Sequence, residues 1–344
     1  MALKESISSP AEKQFLSLAR SQSWWNQFGL SSELIRHAMT LLSSKKWYFR
    51  NSELARDGWD VYLDPANPPV AGWAYTGLRI GTVSPGVALA LPSDNNERII
   101  FPLAGEQLIV DYTIAGSSTT TQQILQGRES VFHGPSDFLY LPVESSAVIS
   151  GLGRVAVGET PATQHKPVKY LPKSQVSVTL RGAGRETRQV HNLGMPETLA
   201  ADRMIVCEVI VPAGNWSGAP AHKHDTFIPG KESNLEEIYY FETSVTRGAK
   251  VDSATSPFGY FRGYSADHRP YDLSEEIHSG DVALVPYGWH GPAAAGPGYD
   301  LYFFNVMAGP DPDRAWNATD HPLQAWIRQS WQSQECDPRL PYTG

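Results

Sequence analysis

From Trp47 onward the chain is punctuated: short apolar or alternating runs are broken by Gly, Pro, Asn and Asp about every ten residues, the pattern of an all-β sandwich or barrel. Runs of this kind fall at residues 87–91, 108–112, 138–142 and 147–150, and a second set follows at 204–211, 238–241, 258–264, 282–285 and 301–307. Between the sets lie Pro161, Pro167 and Pro172, which place a junction near residues 165–175. Each set has a Gly-rich hairpin region and a strand ending in proline (Leu141-Pro142 and Val285-Pro286), so the halves read as two copies of one unit. After residue 45 the one segment with helical character is 322–331.

Residues 1–45 have a different texture. Phe15, Leu16, Leu18 and Ala19, then Leu34, Ile35, Ala38, Leu41 and Leu42, recur at helical spacing, and Ser31-Ser32 before Glu33 suits a helix N-cap. The expectation is a short helical N-terminal extension that packs against the body or a neighbouring subunit.

Bulk properties exclude several functions. The 344 residues suffice for two domains, and 41% hydrophobic with 19% charged residues is ordinary for a soluble globular protein. A net charge of -8 argues against a nucleic-acid surface and against attachment to an anionic membrane by charge alone. Cys207 and Cys336 stand far apart without a CxxC, so neither a disulfide framework nor a cysteine zinc knuckle is expected. The N-terminus lacks an apolar leader core and no run approaches a membrane span, so a soluble cytoplasmic protein is expected.

Three of the ten histidines form a pattern. His222-Lys223-His224 puts two imidazoles at i and i+2, which on a strand share one face. The run Leu235-Glu236-Glu237-Ile238-Tyr239-Tyr240-Phe241 supplies a carboxylate at the start of a β-like segment, and residues 280–290 end a strand in Pro286-Tyr287-Gly288-Trp289-His290. An HxH pair alone is weak. Joined to a Glu heading an apolar strand and a strand ending PxGxH in one β-rich half, it points to one divalent metal ion, since imidazole is the commonest ligand for mid-to-late first-row metals.

The pattern resembles the two motifs of the cupin superfamily, in which a jelly-roll barrel holds a metal with three His and one Glu. It departs from general cupins in the long gap from His224 to Glu237, which needs an inserted loop at 225–235, and in the single residue between Gly288 and His290. Both departures resemble one family, the 5-deoxy-glucuronate isomerases of myo-inositol catabolism, whose relatives are the 4-deoxy-L-threo-5-hexosulose-uronate isomerases. The similarity also rests on Gly214-Asn215-Trp216-Ser217, Gly288-Trp289-His290-Gly291-Pro292, Pro297-Gly298-Tyr299-Asp300-Leu301-Tyr302 and Asn305-Val306-Met307-Ala308-Gly309-Pro310. Arg181-Gly182-Ala183-Gly184 with Arg188-Gln189-Val190 fits as well, and the similarity runs from about Trp47 to Pro341. It implies a bicupin: a metal-free barrel over 46–168 and a metal-binding barrel over 169–344. It implies His222, His224, Glu237 and His290 as ligands, Glu237 being the glutamate that directly precedes the Ile-Tyr-Tyr strand. Glu236 must then point to the other face, as a solvated or salt-bridged rim residue. His133 stands alone in the first half. A homo-oligomer is implied too.

The resemblance implies an aldose–ketose isomerisation of 5-deoxy-D-glucuronate to 5-dehydro-2-deoxy-D-gluconate. The chemistry asks for a Lewis acid, a proton shuttle and a grip on a small acidic sugar. Zinc, manganese and iron(II) all suit the ligands. Arginine's planar fork suits the carboxylate, and Arg181, Arg188 and Arg262 are candidates. Arg262 shares a strand face with Tyr260 and Tyr264, either interior or on the outer sheet. Tyr239, on Glu237's face, Tyr302 on a later strand, and Asp225 beside the histidine pair are candidate proton shuttles. Phe261-Arg262-Gly263-Tyr264 and His191 differ from the family's usual residues and leave substrate identity open. Isomerisation of another deoxy-uronate, a metallocupin dioxygenase and a non-catalytic sugar-binding cupin are the other readings.

Overall fold

The computed structural model describes residues 47–266 and 269–343; the helical extension expected over residues 1–45 lies outside them. The chain is a bicupin, almost all β. The first half forms an eight-stranded sheet in which Asn96–Thr113 and Ser146–Pro161 pair along nearly their whole lengths. Four of the expected short runs fall on this framework, but two belong to much longer strands that curl across the barrel. Gly105 and Gly151, at φ 116° and 114°, sit where a Cβ would meet the facing backbone at 2.4 and 2.2 Å, so the bend is built on glycine. Interruptions that read as strand ends in the sequence are therefore bends within continuous strands.

The second half has a seven-stranded sheet and a six-stranded sheet. In the first, Val282–Val285, Glu236–Val245, Tyr299–Ala308, Ile205–Val211, Arg188–Asn192 and Ser177–Arg181 lie side by side, all antiparallel. Its outermost strand is Tyr48–Phe49, which pairs with Val282 and Ala283. Tyr48–Phe49 was expected within the first barrel; its backbone instead completes an edge of the second. Opposite stands the six-stranded sheet, which includes Gly259–Tyr264, Trp289–Ala295 and His222–Lys223. The insertion expected at 225–235 is a small hairpin of Asp225–Ile228 and Glu232–Asn234. Late in the chain, a single helical turn, Ile327–Ser330, continues into a 3-10 turn, Trp331–Ser333.

Strands Glu236–Val245, Tyr299–Ala308 and Ile205–Val211 are buried on both faces, which explains their nearly unbroken apolar runs. One face lines the second barrel: Tyr239, Phe241, Phe261 and Phe303 pack there with ring centroids 4.7–6.2 Å apart. The other face packs on the first half, where Phe101 meets Phe304 edge-on at 5.2 Å. The interior of the first barrel is a separate cluster that includes Ile100, Leu108, Leu139 and Val157.

Candidate metal centre and substrate cavity

His222 and His290 are direct register partners on neighbouring strands of the six-stranded sheet, and His224 follows two residues later on the same face as His222. Glu237 reaches the same point from the seven-stranded sheet. The donor nitrogens of the three histidines lie within 4.8 Å of one another, the one such cluster among the described residues. Glu237 Oε2 stands 3.0 Å from His224 Nε2 and 3.1 Å from His290 Nε2. Gly288, at φ 86°, forms the turn that aims His290; a Cβ there would meet the Tyr264 carbonyl at 2.6 Å.

This donor set fits a metal ion. His224 Nδ1–H donates to the Leu235 carbonyl at 3.1 Å, and His290 Nδ1 faces the Gly288 carbonyl at 3.3 Å, so both rings present Nε2 to the shared point. His290 Nε2 is buried and, despite its nearness to Glu237, makes no hydrogen bond. An orphaned ring nitrogen facing a carboxylate and two more imidazoles is the arrangement an ion would complete. Burial, with His290 and His224 adding to it, pushes the His222 pKa well below its ordinary value. For Glu237, burial alone would raise the carboxyl; the His224 and His290 rings outweigh it and hold it ionised far below the usual range. These shifts give His222 and Glu237 the forms in which such groups ligate, neutral imidazole and ionised carboxylate; at His224 burial is outweighed by the hydrogen bond and charge of Glu237, which raise its pKa instead.

A cavity of about 530 Å³ opens beside this cluster and is lined by His222, Glu237 and Tyr239. Tyr239 is 6% exposed, its ring 6.2 Å from that of His290. Burial and the Glu237 charge raise its pKa well above the phenol range. Arg181 and Arg188, register partners on adjacent strands, both line the cavity. Neither has a carboxylate partner among the described residues. Arg188 donates to its own turn at the Glu186 carbonyl (3.3 Å) and Arg181 reaches Asn192 at 3.5 Å. Burial and the nearby Arg181 and Arg328 push the Arg188 pKa down to about 10. Like charges facing each other across strands are destabilising, so the pair calls for an anion.

Three other candidates lie away from this cavity. Arg262 is exposed: Gly259, Phe261 and Gly263 take the inner face of their strand, which leaves Tyr260, Arg262 and Tyr264 outside. Its guanidinium lies over the Tyr264 ring at 4.4 Å. Tyr302 is fully buried on the sheet face turned toward the first half, where its hydroxyl donates to Glu208 at 2.5 Å. Asp225 follows His224 and so points to the opposite face. There it accepts bonds from Lys223 (2.7 Å), Arg269 (2.6 Å) and the Gly288 N–H (2.9 Å), which fixes the hairpin and the His290 turn. Glu236 does face away from the cluster, but it is no solvated rim residue. It is 7% exposed and accepts from the backbone of Ala74, Tyr75 and Thr76, tying the first half to the second.

Sequence reasoning missed other parts of the cavity. Asn305 and Cys207 are a cross-strand pair on its floor, and Trp316, Arg328 and Trp331 line it. Arg328 pairs with Asp320 and lies over the Trp331 ring at 5.1 Å; Arg188 approaches the same ring at 5.8 Å. Asn305 stands in a quoted motif, but without a known strand face it carried no signal.

Known proteins resemble this chain in sequence and in fold. A 5-deoxy-glucuronate isomerase from Geobacillus kaustophilus (strain HTA426) is 35% identical over 268 residues, 76% of this chain and 89% of that protein. One from Bacillus subtilis (strain 168) is 30% identical over 256 residues, 74% of this chain and 88% of that protein. The crystal structure of an IolB-like protein from Salmonella typhimurium LT2 superposes with a TM-score of 0.70 at 33% identity, covering 82% of this chain and 98% of its own. Lactobacillus farciminis oxalate decarboxylase, at 11% identity and a TM-score of 0.52 over 80% of this chain and 88% of its own, shares the fold alone. The model of the KduI/IolB family matches residues 48–327, and with relatives of this identity aligned over most of their length, the chain belongs to that family.

Proposed function

We propose that this enzyme is an aldose–ketose isomerase that converts 5-deoxy-D-glucuronate to 5-dehydro-2-deoxy-D-gluconate in inositol catabolism, with one divalent metal ion held by His222, His224, Glu237 and His290. The observation that carries the reading is one cavity with a three-His, one-Glu cluster on one side and, on another, two guanidiniums without acid partners among the described residues. The names of the relatives support the substrate. Zinc, manganese and iron(II) all suit the donor set; such an ion would supply Lewis acidity to neighbouring carbonyl and hydroxyl oxygens.

The protein's own groups perform the rest. The carbonyl moves to the adjacent carbon: a C–H bond breaks on the hydroxyl-bearing carbon and one forms on the former carbonyl carbon. A proton passes from the hydroxyl oxygen to the carbonyl oxygen. Tyr239 keeps its phenolic proton and lines the cavity beside Glu237, which suits it to hold or give a proton at those oxygens. Arg188 and Arg181 bind the substrate carboxylate and so set which end faces the metal ligands. In this reading the first barrel is a metal-free support for the second, where the three-histidine cluster lies. A homo-oligomer belongs to this reading, supported by the edge strand Ser177–Arg181, which no described residue covers and where Val178 is 39% exposed; a monomer in sedimentation would contradict that part.

The test is carbonyl migration. Metal-replete protein incubated with 5-deoxy-D-glucuronate and followed by carbon NMR is expected to yield the ketose. Absence of that product would overturn the assignment.

A further inference from the structure

The floor of the cavity is banded. On the inner face of the seven-stranded sheet, alternate residues form rows that cross the strands, successive rows being about 7 Å apart along them. Glu237 opens the series, in register with Met307. The next row is polar: Tyr239 pairs with Asn305, and Asn305 with Cys207. The third row is apolar: Phe303 pairs with Val209, and Val209 with Val190. Two residues beyond Val190 comes Arg188, paired with Arg181. All of these except Met307 line the one cavity.

The polar row has unused bonding capacity. Asn305 donates one amide hydrogen to the Ile238 carbonyl at 3.3 Å, and its oxygen receives only the weak Cys207 thiol at 3.9 Å. The apolar row has none: Val190, Val209 and Phe303 are 2%, 5% and 4% exposed and offer a substrate only carbon. Arg181 and Arg188 line the same cavity as His222, Glu237 and Tyr239, so the cationic end and the metal-ligand end address one small molecule.

We infer that this banding reads a 5-deoxy-uronate from end to end, and that Val190, Val209 and Phe303 select for the missing hydroxyl. The inference rests on the isomerase reading. In such an acid the aldehyde and its neighbouring hydroxyl stand at one end. Hydroxyl-bearing carbons follow, then the methylene, then the carboxylate. A six-carbon acid is far shorter than the three row intervals, so with its reacting end at Glu237 the long Arg188 and Arg181 side chains must reach back over the valines to hold its carboxylate; the methylene beside that carboxylate then lies on the valines and the middle hydroxyls toward Asn305. A hydroxyl on that methylene would be buried against carbon with no partner, which disfavours the hydroxylated acid.

The test compares 5-deoxy-D-glucuronate with D-glucuronate, which carries the extra oxygen, as substrate or as competitive inhibitor. Wild-type protein is expected to favour the deoxy acid by about 10²-fold, the discrimination an apolar pocket achieves against an added hydroxyl. Val209→Thr and Val190→Thr keep the shape and add a hydroxyl. Each is expected to narrow the preference about tenfold, while Val209→Ala, which adds no polarity, leaves it near the wild-type ratio. Thermal melts and metal content identify variants that fold, and two threonine positions guard against one failing. Folded threonine variants with the wild-type ratio would overturn the inference. So would a ratio that Val209→Ala shifts as far as Val209→Thr, since space alone would then explain selection. Wild-type protein that turns over neither acid would overturn the isomerase reading beneath it.

Discussion

At the scale of single residues, strand parity decides what each candidate can do. His222 and His224 share a face, whereas Asp225 and Lys223 take the other and bond to each other. Parity was legible from the sequence for the histidine pair because two imidazoles at i and i+2 announce the face they share. It was not legible for Arg262 or Tyr302, where either face could have been interior and only the packing of Phe261 and Phe303 against Tyr239 settles the matter. Substitutions should separate these roles. Arg188→Ala is expected to raise KM for the acidic sugar by about 10- to 100-fold, the loss of a charged hydrogen bond, while Arg262→Ala leaves steady-state kinetics near wild type. An Arg262 variant with the larger defect would contradict the placement of the carboxylate. Tyr302→Phe should cost about 1–3 kcal/mol in urea unfolding, because Glu208 loses its phenol, and leave kcat close to wild type. A large fall in kcat with unchanged stability would return Tyr302 to the list of proton shuttles.

Among the elements, the strands buried on both faces carry the most information. Glu236–Val245 shows how one segment serves two tasks: Glu237, Tyr239 and Phe241 line the barrel, while Glu236 and Tyr240 hold the first half. The sequence reveals such a strand only as an apolar run headed by two acids. Which acid is the ligand came from the family resemblance, and the task of the other needed the loop at Ala74–Thr76, far away in the chain. Burial raises the Glu236 pKa to about 7 against the opposing pull of the backbone N–H groups it accepts. Glu236→Gln should therefore keep full metal content with only modest destabilisation by thermal melt. Loss of metal from that variant would move the carboxylate ligand to Glu236. The long strands of the first half were hidden for another reason: glycines that permit a bend look, in sequence, like the end of an element.

Over the whole molecule, the two halves are joined by burial and by several polar contacts, among them Arg154 with Glu242, the Glu236 carboxylate on the 74–76 backbone and one buried charged cluster. Arg128 of the first half reaches Glu208 on the back of the cavity floor, and His191 and Tyr302 bond to the same carboxylate. Nothing in the sequence marks this cluster, since its members are 80 and 94 residues apart in two of the contacts. Burial alone would raise the Glu208 carboxyl; Arg128 outweighs it, with His191 adding, and the pKa falls to about 2 from an ordinary 4.5. A depressed carboxyl stabilises the fold above its unfolded pKa, and that contribution is lost as pH falls from about 4.5 toward 2. The shift corresponds to something on the order of 3 kcal/mol. Arg128→Met should cost about 3–5 kcal/mol at pH 7, because it leaves a buried carboxylate unpaired. The gap to wild type should shrink at pH 3, as the wild-type contribution fades. Urea titrations at the two pH values measure this, and a gap that stays constant would contradict the cluster's role in joining the halves.

The central claim is that His222, His224, Glu237 and His290 together hold one divalent ion. Elemental analysis of purified wild-type protein and of folded His290→Ala tests it most directly. About one metal ion per chain in the wild type and little in the variant is the expected result. A wild-type protein that binds no divalent metal, or a variant that keeps its full complement, would contradict it.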